Sequence, residues 1–368
     1  MTDVLSPARP VPPGRILKQE LDARDWSQKD LAAILGRPAQ MVSEIVSGTK
    51  QITPETSLEL AQAFGNSPEF WHNLEANYRL EMARRLGNDD TIARRSHLYA
   101  ALPLREMARR GWLCLPESVE DLEREVTGLL GASVGSSLVL PARLRSSTTR
   151  EPLTYAQLAW LRRAEALARE QTTGSWAPEH LEPLVEELLT LTRHAEDVAH
   201  VPATLARWGV RCVLLRHLQK TYLDGAAFWL DDRPAVGLTL RYDRIDAFWF
   251  TLMHELAHLA EGEHFNHLDQ LEGGEDNPVA AADQPDCYEV AADQLAAGWL
   301  VIPVAFGEFV KSTQPYFSKA RIETFAAVQG RHPGIILGRL QREQLVPWQN
   351  LRTLLAKVSP HLKDYLRD

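Results

Sequence analysis

Residues 254 to 258 read His-Glu-Leu-Ala-His, and on a helix this spacing sets two imidazoles one turn apart on one face with a glutamate beside them. The chemistry such a set could do is zinc-dependent hydrolysis. Neutral His254 and His258 would hold Zn2+, an open position would hold a water whose pKa the metal lowers to about 7, and Glu255 would take its proton. The flanks read as a buried helix: apolar residues stand at 248, 249, 252, 253, 256, 257 and 259, a pattern foreign to a solvated helix with a fortuitous histidine pair.

Two residues compete to be the third ligand. His264 follows His254 by ten residues, as the third histidine does in the metzincin pattern. Glu261 stands where that pattern has glycine, however, and none of Met1, Met41, Met82, Met107 and Met253 follows the motif to form a methionine turn. Glu289 opens an Ala- and Leu-rich stretch in which it and Asp293 are i, i+4 neighbours. One face would then offer a metal-binding carboxylate and, in Asp293, an acceptor for the ring N–H of a ligand histidine, which fixes its tautomer and orientation. The plainer reading is a solvated acidic helix face. Ala, Val and Leu around the pair, in place of Lys and Arg, weigh against it.

The elements that must position these residues precede them. Residues 209–215, 224–229 and 234–240 read as strands in front of the metal helix. With Phe250-Thr251-Leu252-Met253-His254-Glu255-Leu256-Ala257-His258, the spaced Glu289, Ala292, Asp293 and Ala296, and the closing Leu300-Val301-Ile302-Pro303, the region 205–305 resembles the ImmA/IrrE metallopeptidases. The resemblance implies a zincin-like domain with Zn2+ on His254, His258 and Glu289 and Glu255 as general base. It also implies a protein or peptide substrate, a partner helix-turn-helix repressor or the chain itself. Leu295 departs from the family, which often has an aromatic there. Residues 261–286 carry eight Asp/Glu and no Lys or Arg, and read either as a solvated insertion or as a lid or rim attracting a basic peptide, with His264 and His267 as candidates for stabilising an oxyanion.

At the other end, residues 27–35 carry a Ser cap and apolar positions 31, 32, 34 and 35 before Gly36-Arg37 breaks the helix. A second helix starts near Pro38 with Met41, Val42, Ile45 and Val46 inward, and Thr53 caps a third with Leu58, Leu60, Ala61 and Phe64 as its apolar side. Two short helices joined by a glycine turn make a helix-turn-helix. The wording of residues 35–45 and of Gly65-Asn66-Ser67-Pro68-Glu69-Phe70-Trp71 resembles the xenobiotic-response-element type, and among these the HigA antitoxins. That likeness implies a palindromic DNA operator read in the major groove and a toxin as partner. Gln40, Ser43 and Glu44 are nominated for base edges, and Gln28, Lys29, Arg37, Thr49 and Lys50 for phosphates. Residues 1–80 hold eight Lys/Arg against ten Asp/Glu, so affinity per copy is expected to be modest and to need a homodimer on a two-fold site.

The 368 residues, 45% of them apolar, suffice for two or three cores. A net charge of −9 argues against a membrane surface or bulk nucleic acid as default partner. With no 18-residue apolar run and a Pro-rich polar start, a soluble cytoplasmic protein is expected. Cys114, Cys212 and Cys287 are too scattered for a disulfide framework or a cysteine zinc pattern. Residues 155–170 and 178–193 read as amphipathic helices with Trp160 in the core, and the tail to Asp368 reads as helical and charged. The expected fold is mainly α with a small α+β domain: a helix-turn-helix bundle over 1–80, a helical linker, dimerisation or sensor region over 81–204, and a zincin-like domain with a small mixed sheet over 205–368. The expected function is a DNA-binding regulator with zinc endopeptidase activity. The competing class is a non-catalytic HigA-like antitoxin whose metal domain is a sensor or interaction module.

Overall fold

The computed structural model describes residues 11–86, 90–135, 144–146, 154–219, 221–260, 266–269 and 287–368. The chain divides into two compact units, 1–92 and 93–368.

In the first unit, α1 (Pro13–Asp22), α2 (Gln28–Leu35), α3 (Ala39–Ser47), α4 (Pro54–Phe64) and α5 (Pro68–Leu86) surround a small core. Local chemistry sets the helix ends. Ser27 and Asp30 form a reciprocal capping box, with Ser27 Oγ accepting from the Asp30 amide and the Asp30 carboxylate accepting from the Ser27 amide. Gly36, at φ +65°, takes the left-handed conformation that ends α2 and lets the chain turn into Pro38 at the head of α3. Leu17, Leu31, Val42, Ile45, Leu60 and Trp71 fill the centre. Two residues read as inward are not: Ile34 is 50% and Leu58 52% exposed, because the cores of α2 and α4 close on Leu31/Ala32 and Leu60/Ala61 instead.

The second unit is built on a mixed six-stranded sheet in the order β1-β5-β3-β4-β2-β6, with β1 Leu144–Ser146, β2 Arg211–Leu215, β3 Gly225–Leu230, β4 Arg233–Leu238, β5 Asn266–Asp269 and β6 Leu366–Arg367. β3 runs antiparallel to β4 and β5, whereas β2 lies parallel to β4 and β6. The sheet is covered on both faces. Period-2 alternation sends Val213, Leu215, Ala226, Phe228 and Leu230 into one core with α7 (Leu104–Arg109), α8 (Val119–Leu130) and α9 (Tyr155–Arg169), which follow α6 (Thr91–Ala101). Cys212, Leu214, Ala227, Val236 and Leu238 face the other core. That core is completed by α10 (Leu181–Thr190), α11 (Val201–Arg207), α12 (Ile245–Ala260), α13 (Cys287–Leu300), α14 (Pro303–Thr313), α15 (Lys319–Gln329) and α16 (Pro333–Arg342).

Two expectations are corrected. The helices between 81 and 204 do not form a region of their own: the end of α5 belongs to the first unit, α7 to α9 cover one face of the sheet and α10 the other, and Trp160 of α9, fully buried, donates its indole N–H to the Leu215 carbonyl of β2 at 3.2 Å. The tail is not helical. Beyond α16 it runs through short 3-10 turns and ends as β6, pairing in parallel with Leu214 and Leu215. Among the described residues no single helix is long and apolar enough to cross a membrane.

Candidate functional sites

α12 is apolar almost all round and buried on every side, which is why it can carry polar groups only where they meet partners. His254 and His258 are each 2% exposed and Glu255 is fully buried. α13 packs against α12 and brings Glu289 to them. His254 Nε2 and His258 Nε2 stand 3.1 Å apart, Glu289 Oε2 lies 3.2 Å from His254 Nε2, and Glu289 Oε1 lies 3.7 Å from His258 Nε2. Ligand atoms about 2.0–2.1 Å from a tetrahedral zinc ion are separated by about 3.3 Å, so the donor set and its spacing fit such an ion.

Further groups surround this triangle. Asp293, one turn after Glu289, places Oδ1 2.8 Å from His254 Nδ1, the ring nitrogen other than the one facing Glu289 and His258, although the two atoms are not aligned for a hydrogen bond. Its side chain is 49% exposed, so the face bearing Glu289 and Asp293 is partly solvated. Arg342 of α16 places Nη1 3.8 Å from Asp293 Oδ1 and its guanidinium 3.6 Å from the centre of the Phe250 ring, one turn before His254. On the sheet side, Gly225 opens β3 directly under Glu255. A Cβ there would overlap Glu255 Oε1 and lie 2.9 Å from Glu255 Cδ and 2.7 Å from Thr251 Cγ2. Neither Arg342 nor Gly225 is visible to spacing arguments, since both reach the site through tertiary packing. The nearest signal in the chain is the small residue that heads β3.

The remaining positions fall elsewhere. His264 lies outside the described residues, which leaves its competition with Glu289 as the sequence had it. His267 lies on β5, opposite Ala227 in the register. Leu295, where an aromatic was expected from the resemblance, is exposed on α13. Cys212 is buried, which pushes its thiol up to about 12, and Cys114 is exposed; burial of the sulfur in the core makes Cys212 a packing residue.

In the first unit, Gln40, Ser43 and Glu44 share the outer side of α3, with Gln40 and Ser43 exposed and Glu44 half-buried. Gln40 Nε2 donates to Glu44 Oε1 at 2.9 Å, so the two side chains hold each other flat on the helix. The Glu44 carbonyl accepts from the amides of Thr49 and Lys50 at 2.9 and 3.0 Å, which fixes both residues at the end of α3. Lys29, Thr49 and Lys50 are exposed and Gln28 half-buried at the start of α2. Arg37 is exposed but paired with Glu59 of α4, an interaction that holds its guanidinium above the usual arginine range.

The helix-turn-helix family profile HTH_3 matches residues 17–71, which span α1 to the start of α5. Over 73 residues the chain is 37% identical to an uncharacterized HTH-type transcriptional regulator of Haemophilus influenzae, an alignment covering 20% of this chain and 68% of that protein. This chain belongs to the helix-turn-helix family. It is also similar to antitoxin HigA-1 of Vibrio cholerae, with 38% identity over 68 residues, 18% of this chain and 64% of the antitoxin. Among solved structures, a HigA-family addiction module antidote protein from Coxiella burnetii shares 44% identity, covering 21% of this chain and 85% of its own, with a TM-score of 0.21. These likenesses concern the helix-turn-helix unit, about one fifth of the chain.

Proposed function

We propose that the chain is an operator-binding transcriptional regulator whose second unit is a zinc-dependent endopeptidase. Membership of the helix-turn-helix family and the outward set Gln40 and Ser43 on α3 support DNA recognition through the major groove. The charge balance of residues 1–80 supports a dimer on a two-fold site, since one copy has little attraction for phosphate.

The observation that carries the peptidase reading is the convergence of the buried His254 Nε2 and His258 Nε2 with the half-buried Glu289 carboxylate in one triangle, with Glu255 on the helix of the two histidines. Zinc held there would supply Lewis acidity at neutral pH. The protein's own groups do the rest. The Asp293 carboxylate stands beside His254 Nδ1, Gly225 leaves room for the Glu255 carboxylate, and Glu255 would take the proton of the attacking water and return it to the leaving amine. Among the described residues three donors meet there, and a zinc ion held by three protein ligands would keep a position for water or substrate, as catalytic sites do and purely structural ones do not. The substrate is a protein, either a helix-turn-helix factor or this chain in cis or in its dimer mate.

Mass spectrometry of the zinc-loaded chain beside its Glu255→Gln variant, alone and with helix-turn-helix substrates, tests this. Site-specific fragments are expected from the first and not the second. Absence of fragments from a zinc-loaded wild-type chain would remove the peptidase. The 38% identity to antitoxin HigA-1 favours a second reading, in which the chain represses its operator and binds a toxin while the metal unit serves as a sensor. That reading predicts operator and toxin binding that Glu255→Gln leaves unchanged.

A further inference from the structure

Arg211 opens β2 and is only 6% exposed. Its Nη1 donates to the Leu230 carbonyl at 2.9 Å, and its Nε–H is buried without an acceptor among the described residues. A carbonyl carries no net charge to balance a guanidinium, and a buried charge without a counter-charge is costly. Two more cations stand at this end of the sheet. β2 and β4 pair in parallel with Arg211 opposite Ala235, so Arg211, Arg233 and Ala235 share the face that α9 covers. Gln171, just beyond α9, donates Nε2 to the Cys212 carbonyl at 2.7 Å and accepts from the Cys212 amide at 3.0 Å. These two bonds pin the end of α9, and Arg169 with it, beside the start of β2. Arg169 and Arg233 are exposed. The carboxylate nearest Arg169, on Glu165 at 3.9 Å, already pairs with Arg162 at 2.9 Å. Burial first, and then the charges of Arg233 and Arg169, push the Arg211 guanidinium below the usual arginine range, while Asp231 in the turn between β3 and β4 opposes them.

We propose that this end of the sheet binds a phosphate group, either free phosphate or the phosphate of a small phosphorylated molecule, with Arg211 as the buried anchor and Arg169 and Arg233 as the outer contacts. The charges match. Three guanidinium groups against Asp231 leave a surplus of two, and a phosphate monoester carries about −1.5 to −2 at neutral pH. A carboxylate, with one charge and two oxygens, would leave part of that surplus uncompensated. The donors match as well, because a guanidinium offers phosphate two parallel hydrogen bonds from one edge. With Nη1 turned to Leu230, Arg211 keeps its Nε and Nη2 edge for such an anion. The phosphate then supplies the counter-charge that the fold does not. This site rests on neither the operator reading nor the zinc reading, since none of its residues belongs to the helix-turn-helix or to the histidine cluster.

Calorimetric titration of the full chain in a phosphate-free buffer tests the site with inorganic phosphate, ribose 5-phosphate and chloride at matched ionic strength. Inorganic phosphate or ribose 5-phosphate is expected to bind with a dissociation constant on the order of a millimolar or tighter, and chloride at least about tenfold more weakly. The tighter of the two phosphates identifies the source, and either order supports the site. Exchanging both exposed cations, Arg169→Gln with Arg233→Gln, should weaken phosphate at least about tenfold and leave the melting temperature in phosphate-free buffer unchanged. Arg211→Gln should abolish phosphate binding; should that variant not fold, the exposed pair decides. Absence of binding by the wild-type chain, chloride binding as tight as phosphate, or undiminished phosphate binding by the exposed-pair variant would overturn the proposal. A random DNA duplex that binds through these arginines, with no uptake of either small phosphate, would overturn the small-molecule assignment.

Discussion

Gly225→Ala adds one methyl group at the floor of the site, where it would overlap Glu255 Oε1 and press on Thr251 Cγ2 at 2.7 Å. Such a Cβ contact needs at least about 0.5 Å of movement, and neither neighbour has free space: Glu255 is fully buried and Thr251 is 5% exposed on a helix packed all round. Overpacking of this kind costs about 1–3 kcal/mol. For a unit of this size that lowers the melting temperature by roughly 2–10 °C. Gly307→Ala on α14 is the control, since nothing lies within 4 Å of its added methyl, and it should leave the melting temperature unchanged or raise it slightly. The stronger test is a double-mutant cycle measured by denaturant unfolding. Truncating Glu255 to Ala removes the overlapping carboxylate, so Gly225→Ala should cost at least about 1 kcal/mol less in the Glu255→Ala background than in the wild type. Additive costs, or a Gly225→Ala variant as stable as Gly307→Ala, would refute the packing of β3 under the carboxylate. If the peptidase reading holds, the displaced base should also lower cleavage by about 100-fold at unchanged zinc content, since a misplacement near 1 Å is enough for that.

Other perturbations separate the parts of the account. Asp293→Ala should weaken zinc binding about 10- to 100-fold in chelator competition, because the carboxylate standing 2.8 Å from His254 Nδ1 is lost; an unchanged affinity would exclude its supporting role. In gel shifts on the DNA upstream of the coding sequence, Gln40→Ala should lose about 1–3 kcal/mol on the preferred site and little on random DNA. Lys50→Ala should weaken both and reduce the salt slope by about one. A thiol reagent at neutral pH should label Cys114 quickly and Cys212 only after unfolding, because burial holds the Cys212 thiol up at about 12; equal labelling of the two would contradict the core packing of β2.

What could be read from the chain alone was whatever local chemistry decides. Ser27 with Asp30, Gly36, Gly48 and Thr53 mark helix ends within a few residues of themselves, so the helix-turn-helix and its turns were legible to within a residue. The i, i+4 spacing of His254 and His258, and of Glu289 and Asp293, defines two helix faces, and the structure brings those faces together. Periodicity was a poorer guide to depth. Ile34 and Leu58 fit the apolar stripe but lie at its edge, where tertiary packing chooses among neighbours. Features that depend on distant partners were out of reach. β6 has no strand-like run of its own and exists because β2 offers a free edge, and α9 shows an apolar stripe without showing that its partner is the sheet. Arg342 stands 49 residues beyond Asp293 in the chain, and only the packing of α16 against α12 brings them near.

The central claim is that His254, His258 and Glu289 form one zinc site with Glu255 beside it. Zinc content with X-ray absorption at the zinc edge, on the purified chain and on His258→Ala, Glu289→Ala and Glu255→Gln, tests it most directly. The account predicts a single bound zinc with two imidazole nitrogens and oxygen ligands, lost or strongly weakened in the first two variants and retained in Glu255→Gln. A chain that binds no zinc, or whose zinc survives His258→Ala and Glu289→Ala unchanged, would contradict it.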